Sequence, residues 1–163
     1  MTPPKKYGYE DLHLPYADSI QQLRTYMEEL PEQFVLFSAE ELTARKPGKW
    51  SRKEVLGHLI DSGLNNLKRF TDAQFMPSPF VVQRYDMNQS VIHNRYQDLP
   101  IDHLLALWQS LNQQIVYVTE ALPETVLQNP VLPPDTAETV PLSWLIIDYV
   151  AHMGHHFKQF EFK

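Results

Sequence analysis

The chain of 163 residues contains no cysteine. That absence excludes a disulfide framework, a thiolate zinc finger, an iron–sulfur protein and a cysteine nucleophile. A surplus of positive charge is also lacking. Lys and Arg number 14 against 20 Asp and Glu, a formal charge of −6, which argues against a nucleic-acid partner. No apolar run approaches the roughly 20 residues that cross a bilayer, so no membrane partner is expected. The start, Met1-Thr2-Pro3-Pro4-Lys5-Lys6, lacks the apolar stretch of a signal peptide, and the expectation is a soluble, cytoplasmic protein. What is present is an ordinary globular balance of 43% apolar and 21% charged residues over a length suited to one domain, residues 1–163.

Glycine is scarce, with 5 residues, whereas the 13 prolines cluster between candidate helices. Proline cannot continue a helix interior but fits a first turn. The chain therefore reads as long helices separated by proline-marked loops. Helix one is expected from Tyr16 to Leu30, on Ile20, Leu23, Met27 and Leu30. Helix two starts at Ser51, with Glu54 three residues on as a capping box, and should reach about Phe75. Helix three starts near Pro100 and carries Leu104, Trp108, Leu111, Ile115, Val118 and Leu122 at alternating spacings of four and three, the seam of a bundle helix. Helix four runs from Pro141 to about Phe160. Short helical turns are expected at Ser38–Leu42, Asp86–Tyr96 and Glu124–Leu127, and no run of strands stands out. The fold class is all-α, an antiparallel four-helix bundle with long crossover loops. Loops of that length are uncommon unless functional, and these are expected to line a cleft.

Seven histidines remain to be placed. His152 and His156 sit at i and i+4, about 40° apart on a helix, so both can reach one ion. His156 lies near the centre of the apolar face set by Leu142, Leu145, Ile146, Tyr149, Met153 and Phe160. His152 lies at its edge and His155 well off it. Inward histidines need hydrogen bonds or a metal. The zinc-protease pattern His-Glu-x-x-His fails here, because Met153 stands where the glutamate should be. A third ligand would come from another helix, and His58 is the candidate. It begins a polar stripe with Ser62, Asn65 and Arg69 that lines a cleft or faces water. Arg69 and Tyr85 could contact an anionic substrate, although a surface role is the more ordinary expectation. His13, His93 and His103 read as surface residues, overhanging a site being the lesser alternative for His93.

Trp50-Ser51-x-x-Glu54-Val55-Leu56-Gly57-His58-Leu59-x-Asp61-Ser62 and the later Val150-Ala151-His152-x-x-His155-His156 resemble the two signatures of the DinB-like superfamily. These are four-helix proteins that include damage-inducible proteins and thiol S-transferases. The resemblance runs from helix one to Phe160. It implies a divalent metal held by three histidines, which carries over to His58, His152 and His156. Zinc or nickel is the first expectation for the ion, with manganese or iron as alternatives, since imidazole suits all four. Three neutral ligands with open positions form a catalytic type of site. Asp61, three residues after His58, and Asp148, four before His152, are candidates to orient the ligands from outside.

The function this implies is a metal-dependent hydrolase or low-molecular-weight-thiol S-transferase acting on a small molecule. With no cysteine in the chain, any thiol would come from a cosubstrate. The alternative is a non-catalytic, stress-related bundle that binds metal or a partner for stability or dimerisation. A homodimer is a further expectation, since bundles with an exposed apolar seam often pair about a two-fold axis.

Overall fold

The computed structural model describes residues 8–162. Residues 1–7, on which the expectation about export rests, lie outside the described residues. Four long helices form a bundle: α1 (Tyr16–Phe34), α3 (Arg52–Asp72), α5 (Ile101–Glu120) and α7 (Leu142–Phe157). Three short ones lie in the connections: α2 (Ala39–Thr43), α4 (Met87–His93) and α6 (Glu124–Leu127).

Helix α1 runs one turn past its expected end, straight through Pro31. Proline there removes the bond that the Met27 carbonyl would accept from residue 31. The Gln109 side chain from α5 donates to that carbonyl instead, at 3.1 Å. The extra turn also buries Phe34, which is 1% exposed. With the orphaned carbonyl satisfied and an aromatic ring buried, continuing the helix costs less than ending it. Helix α7 ends at Phe157, and a 3-10 turn, Lys158–Phe160, completes the stretch expected as helix.

The order of the helices around the bundle does not follow the chain. Helix α3 packs on α5 and α7, and α1 packs on the same two, leaving α1 and α3 across one diagonal and α5 and α7 across the other. Side-chain contacts give the directions. Tyr16 Oη donates to the Thr119 carbonyl while Gln109 reaches Met27, so α1 and α5 are antiparallel. His58 near the start of α3 meets His156 near the end of α7, so that pair is antiparallel too. By contrast, His13 meets Asp148, Tyr26 meets Phe157 and Phe34 meets Phe160, so α1 and α7 run the same way. It follows that α3 and α5 are also parallel. Parallel neighbours in sequence need a connection as long as the helix itself, and the long crossover between α3 and α5 supplies it.

Those crossovers are not free of strands, contrary to the sequence expectation. Three very short strands, β1 (Phe80–Val81), β2 (Pro130–Leu132) and β3 (Val140–Pro141), form a sheet in that order. Strand β1 pairs parallel with β2 through Phe80–Val131 and Val81–Leu132, and β2 pairs antiparallel with β3. Two- and three-residue strands carry too little periodicity to be read, and Pro130 and Pro141 speak against strands at all except at edges. Their effect is to tie the two crossovers together over one side of the bundle.

The core between the helices contains Leu23, Leu30, Leu56, Leu59, Leu104, Trp108, Ile115 and Ile146, all under 2% exposed. Helix α5 buries Leu105, Asn112, Val116 and Thr119 in addition to Leu104, Trp108 and Ile115, a wider face than the expected seam, because it packs on two helices. None of the helices is long and apolar enough to cross a membrane, among the described residues.

Candidate metal centre

The start of α3 is held firmly. Ser51 Oγ accepts from the Glu54 amide and the Glu54 carboxylate accepts from the Ser51 amide, the expected capping box. Burial pushes the Glu54 carboxyl up, but a two-point bond from Arg45 at 2.6 and 2.8 Å and the Ser51 amide prevail and hold it below its usual range. His58 follows in the second turn of the helix, 2% exposed, with the Trp50 ring against it at 5.1 Å.

His58 faces His152 and His156 on α7. The Nε2 atoms of His58 and His152 are 3.3 Å apart, and those of His156 and His152 are 3.0 Å apart. All three residues offer a ligand atom within 4.8 Å of the others. Four-coordinate bonds of about 2.0–2.1 Å would separate adjacent nitrogens by roughly 3.3 Å, so these spacings suit a common ion. His156 Nδ1 lies 3.2 Å from Gln159 Oε1. That carboxamide oxygen holds the proton on Nδ1 and leaves the Nε2 lone pair free.

Hydrogen bonding alone does not satisfy this cluster. A neutral imidazole carries one N–H, and three Nε2 atoms crowd one point where their lone pairs oppose each other. His58 Nδ1 is buried and has no partner at all. Protonation offers no relief. Burial, and then the neighbouring His156, pull the pKa of His58 down to about 3. Burial, with His156, His58 and His155 alongside, takes His152 well below its usual value. Burial lowers His156 too, the Gln159 bond opposing. Three imidazoles that burial keeps neutral, with nitrogens converging on one point, fit a divalent cation.

The groups around the cluster depart from the sequence reading in several places. Asp61 does not turn to His58. Its Oδ1 accepts from Tyr96 Oη at 2.6 Å and Asn94 Nδ2 at 2.8 Å, and its Oδ2 has no partner. Asp148 pairs with His13 Nε2 at 3.1 Å, so His13 is not a free surface residue; both side chains are 17% exposed. His155 stays off the cluster and lies against Tyr9, with ring centroids 5.4 Å apart. His93 bonds Gln89 on its own helix and borders neither cleft described here.

Two clefts open beside the histidines. One, of about 360 Å³, is bordered by all three and by Ser62, Asn66, Arg69, Tyr85, Trp144 and Tyr149. Both crossovers contribute to it, through Val82, Tyr85 and Met87 from the first and Pro133 and Pro134 from the second. Asn66 rather than Asn65 takes the polar position, because the cleft lies toward the bundle interior, where Asn66 is buried. A larger cavity of about 520 Å³ reaches the cluster only at His156 and is rimmed by Lys46, Lys49, Arg52 and Trp50. The smaller cleft is the better candidate site, since the convergent nitrogens open into it.

The profile of the DinB superfamily matches residues 16–160, nearly the whole chain. The chain belongs to the DinB superfamily. Among curated proteins, one of Oceanobacillus iheyensis, named provisionally as a metal-dependent hydrolase, is 28% identical over 125 residues. That match covers 76% of this chain and 69% of the relative. Among solved structures, YfiT from Bacillus subtilis superposes with a TM-score of 0.79 at 22% identity, covering 96% of this chain and 87% of YfiT. It is described as a probable metal-dependent hydrolase with an unusual four-helix bundle topology, a description of the bundle that agrees with the helix order found here. A mycothiol-dependent maleylpyruvate isomerase superposes with a TM-score of 0.67 at 18% identity, over 91% of this chain and 61% of the isomerase. At these identities the structural likeness establishes the fold alone.

The residues that sequence reasoning missed are Gln159, Asn66, Tyr9 and the His13–Asp148 pair. Gln159 lies on the 3-10 turn beyond α7, where helical periodicity no longer applies. The other contacts join distant parts of the chain, and no local signal announces them.

Proposed function

We propose that this protein is a metal-dependent enzyme in which His58, His152 and His156 hold one divalent ion and present it to a small molecule in the 360 Å³ cleft. The observation that carries the reading is the convergence of three imidazole nitrogens, one on α3 and two on α7, all kept neutral by burial. A divalent ion held there supplies Lewis acidity and brings a bound water or thiol toward ionisation near pH 7. Zinc or nickel is the first choice for the all-imidazole set, with manganese or iron as the alternatives. The rest of the work falls to the chain. Gln159 keeps the proton of His156 on Nδ1, Trp50 fixes the His58 ring, and Tyr9 covers His152. Val82, Met87, Pro133 and Leu145 give the substrate an apolar wall.

Hydrolysis is the first reading, in keeping with the names of the Oceanobacillus and Bacillus relatives. Transfer of a low-molecular-weight thiol is the second, and the second cavity favours it. That cavity meets the cluster at His156 and carries Lys49, whose side chain joins none of the ion pairs among the described residues, giving a second approach to the same centre. The isomerase relative is named as mycothiol-dependent, and a chain without cysteine would have to take its thiol from outside.

The test is turnover of a panel of esters, amides and thiol–electrophile pairs by protein loaded with zinc, nickel or manganese. We expect turnover with at least one ion, its loss on chelation, and a fall of at least about a hundredfold in His156→Ala with helicity retained. Turnover unchanged by chelation and by His156→Ala would sink the proposal. A non-catalytic bundle instead shows no turnover and a melting temperature that drops steeply on chelation.

A further inference from the structure

Among the described residues, Arg69 is the one Lys or Arg side chain bordering the histidine cleft. It has no carboxylate partner: none of the ion pairs among the described residues includes it. Its Nη1 donates to Asn66 Oδ1 at 3.3 Å and its Nη2 to the Gln83 carbonyl at 2.7 Å, and its guanidinium lies 5.9 Å from the Tyr85 ring. Those contacts hold the group in place and leave most of its five-donor fork unused. Burial lowers its pKa, the mark of a cation partly stripped of water. Asp148, the other charged residue on this cleft, is already paired with His13. Asp61 is turned to Tyr96 and Asn94. A partly desolvated guanidinium held by neutral acceptors is a receptor for a planar or tetrahedral oxyanion.

We propose that the substrate of this cleft carries an oxyanion, carboxylate or phosphate, which Arg69 receives at the end away from the histidines. The spacing sets its length. Arg69 reaches back to the level of Asn66, eight residues beyond His58, which is about 12 Å along α3 at ~1.5 Å per residue. The cleft lining includes apolar Val82, Met87, Pro133 and Leu145, with Ser62 and Asn66 as its polar members on α3. The substrate class is therefore an extended amphiphile, with its reacting group at one end and its anion at the other. Tyr85, whose hydroxyl burial pushes up to about 12, remains a phenol and can donate to the same anion.

The inference rests on the proposed metal site for the reacting end only, and the test separates the two. The probes are the monohydroxamates of linear dicarboxylic acids from succinic to dodecanedioic, their methyl esters, and acetohydroxamate as the metal anchor alone. Binding is measured calorimetrically to zinc-loaded protein. The ion–hydroxamate and carboxylate–guanidinium contacts take up roughly 6–7 Å of the span along α3, so we expect affinity to peak at the glutaric to adipic length, with the acid about ten- to a hundredfold tighter than its ester. Arg69→Gln should remove that difference and leave acetohydroxamate binding unchanged, while Arg69→Lys, which keeps the charge, should retain part of it. Equal binding of acid and ester overturns the proposal. So does an equal loss for every probe in both variants, which is the signature of a merely structural clamp to Gln83. If acetohydroxamate and zinc both fail to bind, the metal reading fails alone. Decanoate, decanamide and octylphosphonate on metal-free protein then decide: an Arg69-dependent preference for either anion supports the inference and identifies the oxyanion, and no preference overturns it.

Discussion

At the scale of single residues, the centre rests on imidazoles that burial keeps neutral. His58 has its pKa drawn from 6.5 down to about 3. The unfolded chain therefore takes up a proton at His58 before the folded chain does, so acid favours unfolding. The stability linked to His58 is fully present above about pH 6.5 and is lost as pH falls from there toward the folded value. His152 and His156, shifted in the same direction, add to the slope. We predict that the melting temperature of metal-free protein falls steadily between about pH 6.5 and 4, and that His58→Leu flattens this dependence. A melting temperature level across that window would show that these histidines charge freely. Part of this centre was legible in the sequence. The i, i+4 pair follows from helical geometry, and the wheel separated His155 from it. His58 came from the polar stripe and from the family resemblance. The pairing of Asp148 with His13 was not legible, because a contact between residues 135 positions apart leaves no periodic trace; that of His156 with Gln159 was not, because Gln159 lies on the 3-10 turn beyond the helix.

At the scale of elements, α3 matters most. Its capping box was readable because both partners lie within four residues. The role of Gly57 was not. The ring of Tyr96, 39 positions later, packs so closely on the helix that a Cβ at position 57 would overlap it. That close approach lets Tyr96 Oη reach Asp61 one turn on and fixes the returning crossover beside His58. Gly57→Ala should therefore be destabilising by roughly 1–3 kcal/mol, against the usual gain from replacing a helical glycine. Chemical denaturation reads this directly, and a neutral or stabilising result would mean that the crossover does not pack on α3 as described. Pro31 in α1 teaches the complementary lesson. A proline read as a helix end is tolerated because Gln109, from another helix, takes over the freed carbonyl.

At the scale of the whole molecule, four helices and long crossovers were legible from the spacing of apolar residues and prolines. Their order around the bundle was not. Periodicity shows which face is buried but not which neighbour buries it. The parallel pairing of α3 and α5 requires the chain to return the full length of α3, roughly 31 Å for 21 residues at ~1.5 Å each. Replacing residues 76–95 with a linker of about six glycines and serines, which spans at most ~20 Å, should prevent that return. We expect loss of the cooperative thermal transition by circular dichroism. A cooperative, stable product would contradict the assigned helix directions. The same crossovers, joined by the small sheet, form the roof of the cleft, so fold and site depend on one connection.

The central claim is that three histidines from two helices hold one divalent ion. Metal content of protein purified without a histidine tag and dialysed in turn against zinc, nickel and manganese tests it most directly. We predict about one equivalent of at least one metal per chain, lost in His58→Ala and in His156→Ala while helicity is kept. Less than about a tenth of an equivalent in the unaltered protein for every ion, or full retention in both variants, would contradict it.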